Sequence, residues 1–135
     1  MKILLVEDDL ATREEVSDLL ETLGHHTVDS DCAEEALQYI RSDGSADLIL
    51  FDLNMPGTSG LDRNKEVRHT SIQAVSTMPA ICMTGSRDAH SVVELLKTGI
   101  TDFLFKPLRL ADLKSSLQKV QSEISRVRAQ ESQAA

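Results

Sequence analysis

The chain has 135 residues, 41% apolar and 27% charged, enough for one domain with its own hydrophobic core and no disulfide or metal staple. Fourteen Lys and Arg against 22 Asp and Glu leave a formal charge of -8, which argues against nucleic acid held on the domain's own surface. No apolar run reaches the roughly 18 residues that span a bilayer, the N-terminal run is too short for a signal peptide, and Cys32, Cys82 and the four histidines lack metal-ligand spacing, so a cytoplasmic protein with no membrane partner is expected.

In chain order, Lys2–Val6 is an apolar run ended by Glu7, Asp8 and Asp9, and reads as a buried strand. Val16, Leu19, Leu20 and Leu23 follow at the spacing of an amphipathic helix. Thr12 with Glu15 forms a capping-box signature, and Gly24 is the expected stop. His26–Ser30 is a weak strand signal. Asp31 and Glu34 then make a second cap signature ahead of Ala33, Ala36, Leu37 and Ile40 at helical spacing. Leu48–Phe51 is continuously apolar, as strands covered on both faces are, and it ends at Asp52. Residues 60–69 read as a short helix with thin apolar content, followed by a long loop. Pro79–Met83 is the fourth strand, Ser91–Lys97 a helix, and Phe103–Phe105 the fifth strand, stopped by Lys106 and Pro107. A long helix starts near Leu110, and Gln130–Ala135 reads as a disordered tail. Strands alternating with helices predict a parallel sheet with helices on both faces.

Ligands of open parallel α/β sheets bind outside the carboxyl ends of the strands. At four such ends stand Asp8 and Asp9, Asp52, Thr84 and Lys106. A strand-end Asp is more often a turn former or helix cap than a catalytic group, but four chemically useful residues on one edge form a set. Three converging carboxylates repel one another unless a cation joins them. With no His or Cys ligand set, that cation is hard and oxygen-seeking, and Mg²⁺ suits such a site when a phosphate completes its shell. Lys106 offers a point charge and Thr84 a hydroxyl donor for phosphoryl oxygens. Asp52, ending the most apolar strand, is the expected nucleophile.

The runs Val6-Glu7-Asp8-Asp9, Asp52-Leu53-Asn54-Met55-Pro56-Gly57, Thr84-Gly85 and Asp102-Phe103-Leu104-Phe105-Lys106-Pro107 together resemble the receiver domain of two-component response regulators, in its chemotaxis-regulator-like form. The likeness covers residues 1–122, leaving 123–135 as a C-terminal helix extension and tail. It implies a flavodoxin-like (βα)5 three-layer sandwich with strand order 2-1-3-4-5. It implies a phosphoacceptor at Asp52, direct Mg²⁺ binding by Asp9 and Asp52, a third protein ligand in the Asn54 backbone carbonyl, and Asp8 acting largely through water. Lys106 would pair with the phosphoryl group, Thr84 would be the switch hydroxyl, Phe103 the aromatic switch residue, and Lys106–Pro107 a cis peptide. The implied partners are a sensor histidine kinase or phosphotransfer protein upstream and an effector downstream, and the domain would be a signalling module that catalyses only its own phosphorylation and slow dephosphorylation. Departures are local: Arg63 and Asn64 replace an apolar pair usual in the third helix, and Phe103 stands where many relatives carry Tyr.

A haloacid-dehalogenase phosphatase also uses a strand-end Asp with Mg²⁺, but needs a second Asp two positions on, where this chain has Asn54. A flavodoxin needs a hydroxyl- and Gly-rich phosphate loop after strand 1, where Glu7, Asp8 and Asp9 would repel phosphate. The output stays open between a stand-alone receiver that binds another protein and the N-terminal receiver of a longer effector, such as a cyclase, kinase or DNA-binding protein. Leu110, Leu113, Leu117, Val120, Ile124 and Val127 recur at alternating intervals of 3 and 4. The first half of this seam faces the sheet. The second half is expected to run into solvent, either as a weak homodimer seam or as a lead into an effector.

Overall fold

The computed structural model describes residues 1–42, 44–52, 78–85 and 100–134. Its elements are β1 (Lys2–Val6), α1 (Leu10–Thr22), β2 (His26–Ser30), α2 (Ala33–Arg41), β3 (Leu48–Asp52), β4 (Ala80–Thr84), β5 (Asp102–Phe105) and α3 (Leu110–Ala134). The helices expected over 60–69 and 91–97, with Arg63, Asn64 and Asn54, lie outside the described residues.

The five strands form one parallel sheet in the order β2-β1-β3-β4-β5, the flavodoxin-like order expected. Strand parity sorts the core into two layers. Leu4, Val6, Ile49, Phe51, Ala80 and Cys82 pack with Ala36 and Ile40 of α2. Ile3, Leu5, Leu48, Leu50, Ile81, Met83 and Leu104 pack with α1 and α3 on the other side, through Val16, Leu20, Leu113, Leu117 and Val120. Every residue of β3 and β4 is buried, the signature of strands covered on both faces.

The helix ends differ from the sequence reading in instructive ways. α1 starts at Leu10, earlier than a Thr12 cap allows, because Asp9 is the N-cap: its Oδ2 accepts from the Thr12 N–H at 2.9 Å and from the Thr12 hydroxyl at 2.6 Å. Its other end is a Schellman turn. Gly24 takes φ 85°, its N–H donates to the Glu21 carbonyl, and the His25 N–H donates to that of Leu20. α2 begins after Cys32, whose side chain makes no capping bond, rather than after an Asp31 cap.

The C-terminal segment also departs from expectation. α3 runs unbroken from Leu110 to Ala134, through residues expected to be disordered, since Gln, Glu, Ser and Ala there include no helix breaker. The helix runs on past residue 122, where the expected helix extension begins. Ile124 does not stand in solvent: it is half-buried and packs, with Met1, against the α1/α3 layer of the core. Arg128 lies 3.9 Å from Asp47, whose carboxylate also accepts from the Lys2 N–H at 2.8 Å. Of the distal seam, Val127 is the exposed large apolar residue. No helix among the described residues is long and apolar enough to cross a membrane.

Candidate functional site

Parallel strands deliver their carboxyl ends to one edge, and the register fixes which residues meet there. Asp52 is the last residue of β3, opposite Met83, and Thr84 the last of β4, opposite Phe105. Both are buried, at 5% and 1% exposure. Lys106 directly follows β5, and its N–H donates to the Thr84 carbonyl at 2.8 Å. That bond extends the β4–β5 pairing by one step and brings the Lys106 side chain over the edge. The Lys106–Pro107 peptide is cis, as the resemblance implies.

The Lys106 ammonium reaches back across β4 to two carboxylates, Asp52 Oδ2 at 2.9 Å and Glu7 Oε2 at 3.0 Å. Burial works against the lysine's charge, but the hydrogen bonds and charges of Asp52 and Glu7 outweigh it and hold its pKa above the ordinary 10.5. The ammonium stays charged throughout the neutral range. Glu7 is pushed the other way. Its burial, reinforced by the charge of Asp52, raises its pKa above 4.5 despite the bonds from Lys106 and from the Asp9 N–H.

Glu7 is the site residue that motif reading missed. It is 1% exposed and continues the parity of Ile3 and Leu5, so strand alternation alone was the available signal. The carboxylates that converge are those of Glu7, Asp8 and Asp52, whose oxygens lie within 4.8 Å of one another. Asp9, expected as a direct cation ligand, lies outside this cluster. Its side chain is engaged as the α1 cap, and the hydrogen bonds from Thr12 lower its pKa below the ordinary 3.8. The physical reason is position: the chain is already turning into α1 at Asp9, and a helix start recruits the nearest carboxylate. Asp8 belongs to the cluster instead and is exposed.

Phe103 is half-buried beside the α2-side core and meets Phe105 edge to face, with ring centroids 5.4 Å apart. One residue earlier, Asp102 Oδ2 accepts from the buried Ser116 hydroxyl at 2.8 Å and from Lys119 at 3.3 Å, which ties the start of β5 to α3.

Three carboxylates of hard oxygen character, clustered at an open edge with an adjacent ammonium, fit a divalent cation of the Mg²⁺ type. Asp8 and Asp52 would hold it, with Glu7 beside them. Asn54, whose carbonyl was expected as a ligand, lies outside the described residues.

Residues 3–118 match the family described as the response regulator receiver domain. Chemotaxis protein CheY-3 of Vibrio cholerae is 31% identical over 121 residues, a match spanning 89% of this chain and 91% of that one. Nodulation protein W of Bradyrhizobium diazoefficiens is 35% identical over 111 residues, spanning 82% of this chain but 47% of that protein. Among solved structures, a response regulator receiver protein from Pseudomonas putida superposes with a TM-score of 0.78 at 30% identity, covering 87% of this chain and 95% of that one.

Proposed function

The chain belongs to the response regulator receiver domain family of two-component signal transduction, and on that premise we propose that Asp52 is the residue that accepts the phosphoryl group, from a phosphohistidine on a sensor kinase or phosphotransfer protein, with Mg²⁺ held by Asp8 and Asp52. Phosphorylation on an aspartate with a change of conformation is standard for the family, whose members are signalling domains rather than classical enzymes and which interact with histidine kinases, phosphotransfer proteins and effectors.

The observation that carries the assignment is the Lys106–Asp52 contact at 2.9 Å, on the edge where Glu7 and Asp8 also converge. One Asp52 carboxylate oxygen attacks phosphorus, forming an O–P bond. The P–N bond of the phosphohistidine breaks, and its electron pair leaves with the imidazole, which takes up a proton. From an acyl phosphate the broken bond is P–O, and the acyl carboxylate leaves as an anion. Lys106, already bonded to Asp52 Oδ2, offsets negative charge on the transferring group without reorganising. The Thr84 hydroxyl, at the end of the neighbouring strand, serves as the donor that follows the new phosphoryl oxygens, and the Phe103 ring moves with it. Bound Mg²⁺ supplies further neutralisation of phosphoryl oxygens. The output is control of a downstream effector, carried either on a separate protein or on a longer chain of which this is the N-terminal receiver.

The test is incubation with acetyl phosphate and Mg²⁺. One phosphoryl mass should be added, and Asp52→Asn should abolish it. Equal labelling of the Asn variant, or labelling that survives complete chelation of the metal, overturns the assignment.

A further inference from the structure

Each polar atom of Glu7 has its own partner. The backbone N–H donates to the Ser30 carbonyl at 3.0 Å, Oε1 accepts from the Asp9 N–H at 3.1 Å, and Oε2 accepts from Lys106. The fourth, the backbone carbonyl, accepts from Nη1 of Arg13 at 2.8 Å. Arg13 is the fourth residue of α1, and its own N–H donates to the Asp9 carbonyl at 2.9 Å, so the helix holds the base of the side chain.

The carbonyl that Arg13 grips belongs to the peptide leading into Asp8. A peptide is planar, so fixing the Glu7 carbonyl also fixes the Asp8 nitrogen and Cα. With the following peptide held by the Asp9 N–H bond to Glu7 Oε1, Asp8 sits between two anchored peptides, which limits its φ and ψ and so the direction in which its side chain departs. Asp8 depends on this, because it is exposed and no hydrogen bond among the described residues orients its carboxylate. We propose that Arg13 is a positioning residue of the cation site, orienting the Glu7–Asp8 peptide so that the Asp8 carboxylate meets those of Glu7 and Asp52. This rests on the reading of that cluster as a Mg²⁺ site.

Geometry and charge make opposite demands here. A guanidinium near the carboxylates repels a divalent cation, so on charge alone its removal tightens Mg²⁺ binding. A mere brace between α1 and β1 would alter stability and leave the affinity of the folded protein unchanged. A positioning residue weakens Mg²⁺ binding when lost, against the sign of its charge.

The experiment is calorimetric titration of Mg²⁺ into the full chain, at fixed ionic strength, for the parent, Arg13→Ala, Arg13→Lys and Asp52→Asn, with thermal melts as the folding control. Arg13→Ala should weaken Mg²⁺ binding by roughly tenfold, as loss of an orienting partner does at metal sites. Arg13→Lys keeps the charge and one donor, and should fall between, about twofold below the parent on the same grounds. Because its charge is unchanged, that loss is geometric, and it decides the matter should Arg13→Ala fail to fold. Affinity equal to or tighter than the parent's in the folded variants overturns the role of Arg13 while leaving the Mg²⁺ site standing. Binding by Asp52→Asn as tight as the parent's shows that the metal is elsewhere, and both readings fall.

Discussion

Lys106 and Asp52 are joined at 2.9 Å although they belong to strands that are not neighbours: Asp52 ends β3, Lys106 follows β5, and β4 lies between. The lysine side chain spans the intervening strand and also holds Glu7 of β1's continuation. One cation thus ties together three of the five strand ends.

Loss of that cation should be felt in stability and in metal binding with opposite signs. Lys106→Met leaves two buried carboxylates facing each other. Breaking a buried pair costs about 3–5 kcal/mol, and because Lys106 is 27% exposed a smaller loss of about 1–3 kcal/mol is expected in urea denaturation without metal. Mg²⁺ should bind more tightly than to the parent and recover part of the loss. A variant that loses both stability and Mg²⁺ affinity would show that the ammonium organises the carboxylates rather than competing with a cation for them.

Glu7→Gln should carry a pH signature. The folded-state pKa of Glu7 lies above its ordinary 4.5, so over that interval the folded protein binds the extra proton and stability falls as pH rises through it. The amide removes the ionisation but has one acceptor oxygen, so it can accept from Lys106 or from the Asp9 N–H, not from both. The stability of Glu7→Gln relative to the parent should be greatest at pH 7 without metal and shrink as pH falls toward 4.5. An advantage that grows on acidification would contradict the burial-driven shift.

Asp8 and Asp9 should separate into two roles. Asp8→Ala should weaken Mg²⁺ by at least tenfold, taking the loss at a metal-site partner as roughly the lower bound, with little change in stability. Asp9→Ala should lower stability through loss of the Thr12 cap bonds while Mg²⁺ affinity stays near the parent's. Because Thr12 lowers the Asp9 pKa below 3.8, the cap's contribution is present above that pH and is lost as pH falls through the depressed value. Titration and denaturation of both variants would expose an exchange of these roles.

The distal half of α3 should respond unevenly to charge. Ile124→Asp places a carboxylate against the α1/α3 core layer and should cost about 1–3 kcal/mol, whereas Val127→Asp, in solvent, should stay within about 0.5 kcal/mol of the parent. Equal effects in urea denaturation would mean that Ile124 is not docked. Sedimentation of Val127→Asp beside the parent would then separate association through the exposed residue from packing within the chain.

Much of the architecture was legible because buried parallel strands leave unbroken apolar runs. Leu48–Phe51 can only be covered on both faces, and the acids, the Thr and the Lys that end such runs fall on one edge once the strands are parallel. The sheet order and the cis Lys106–Pro107 bond followed from the resemblance rather than from the residues themselves. Two differences near the site have separate causes. Asp8 and Asp9 are the same residue type, and composition cannot say which one the turn into α1 consumes as a cap. Glu7 was overlooked because an acid one step beyond an apolar run looks solvated, whereas strand parity points it inward.

The alternation of strands and helices and the residue types available at the sheet edge are written locally in the chain, because apolar periodicity and strand-end chemistry are local properties. Which carboxylates converge, the reach of Lys106 across a strand to Asp52 and Glu7, the contact of Arg13 with the Glu7 carbonyl and the docking of Ile124 on the core all arise from long-range packing. Those relations depend on register, on the exact start of α1 and on how far α3 overlies the sheet. Each is set by packing between segments distant in sequence, where a one-residue shift sends a side chain to the opposite face.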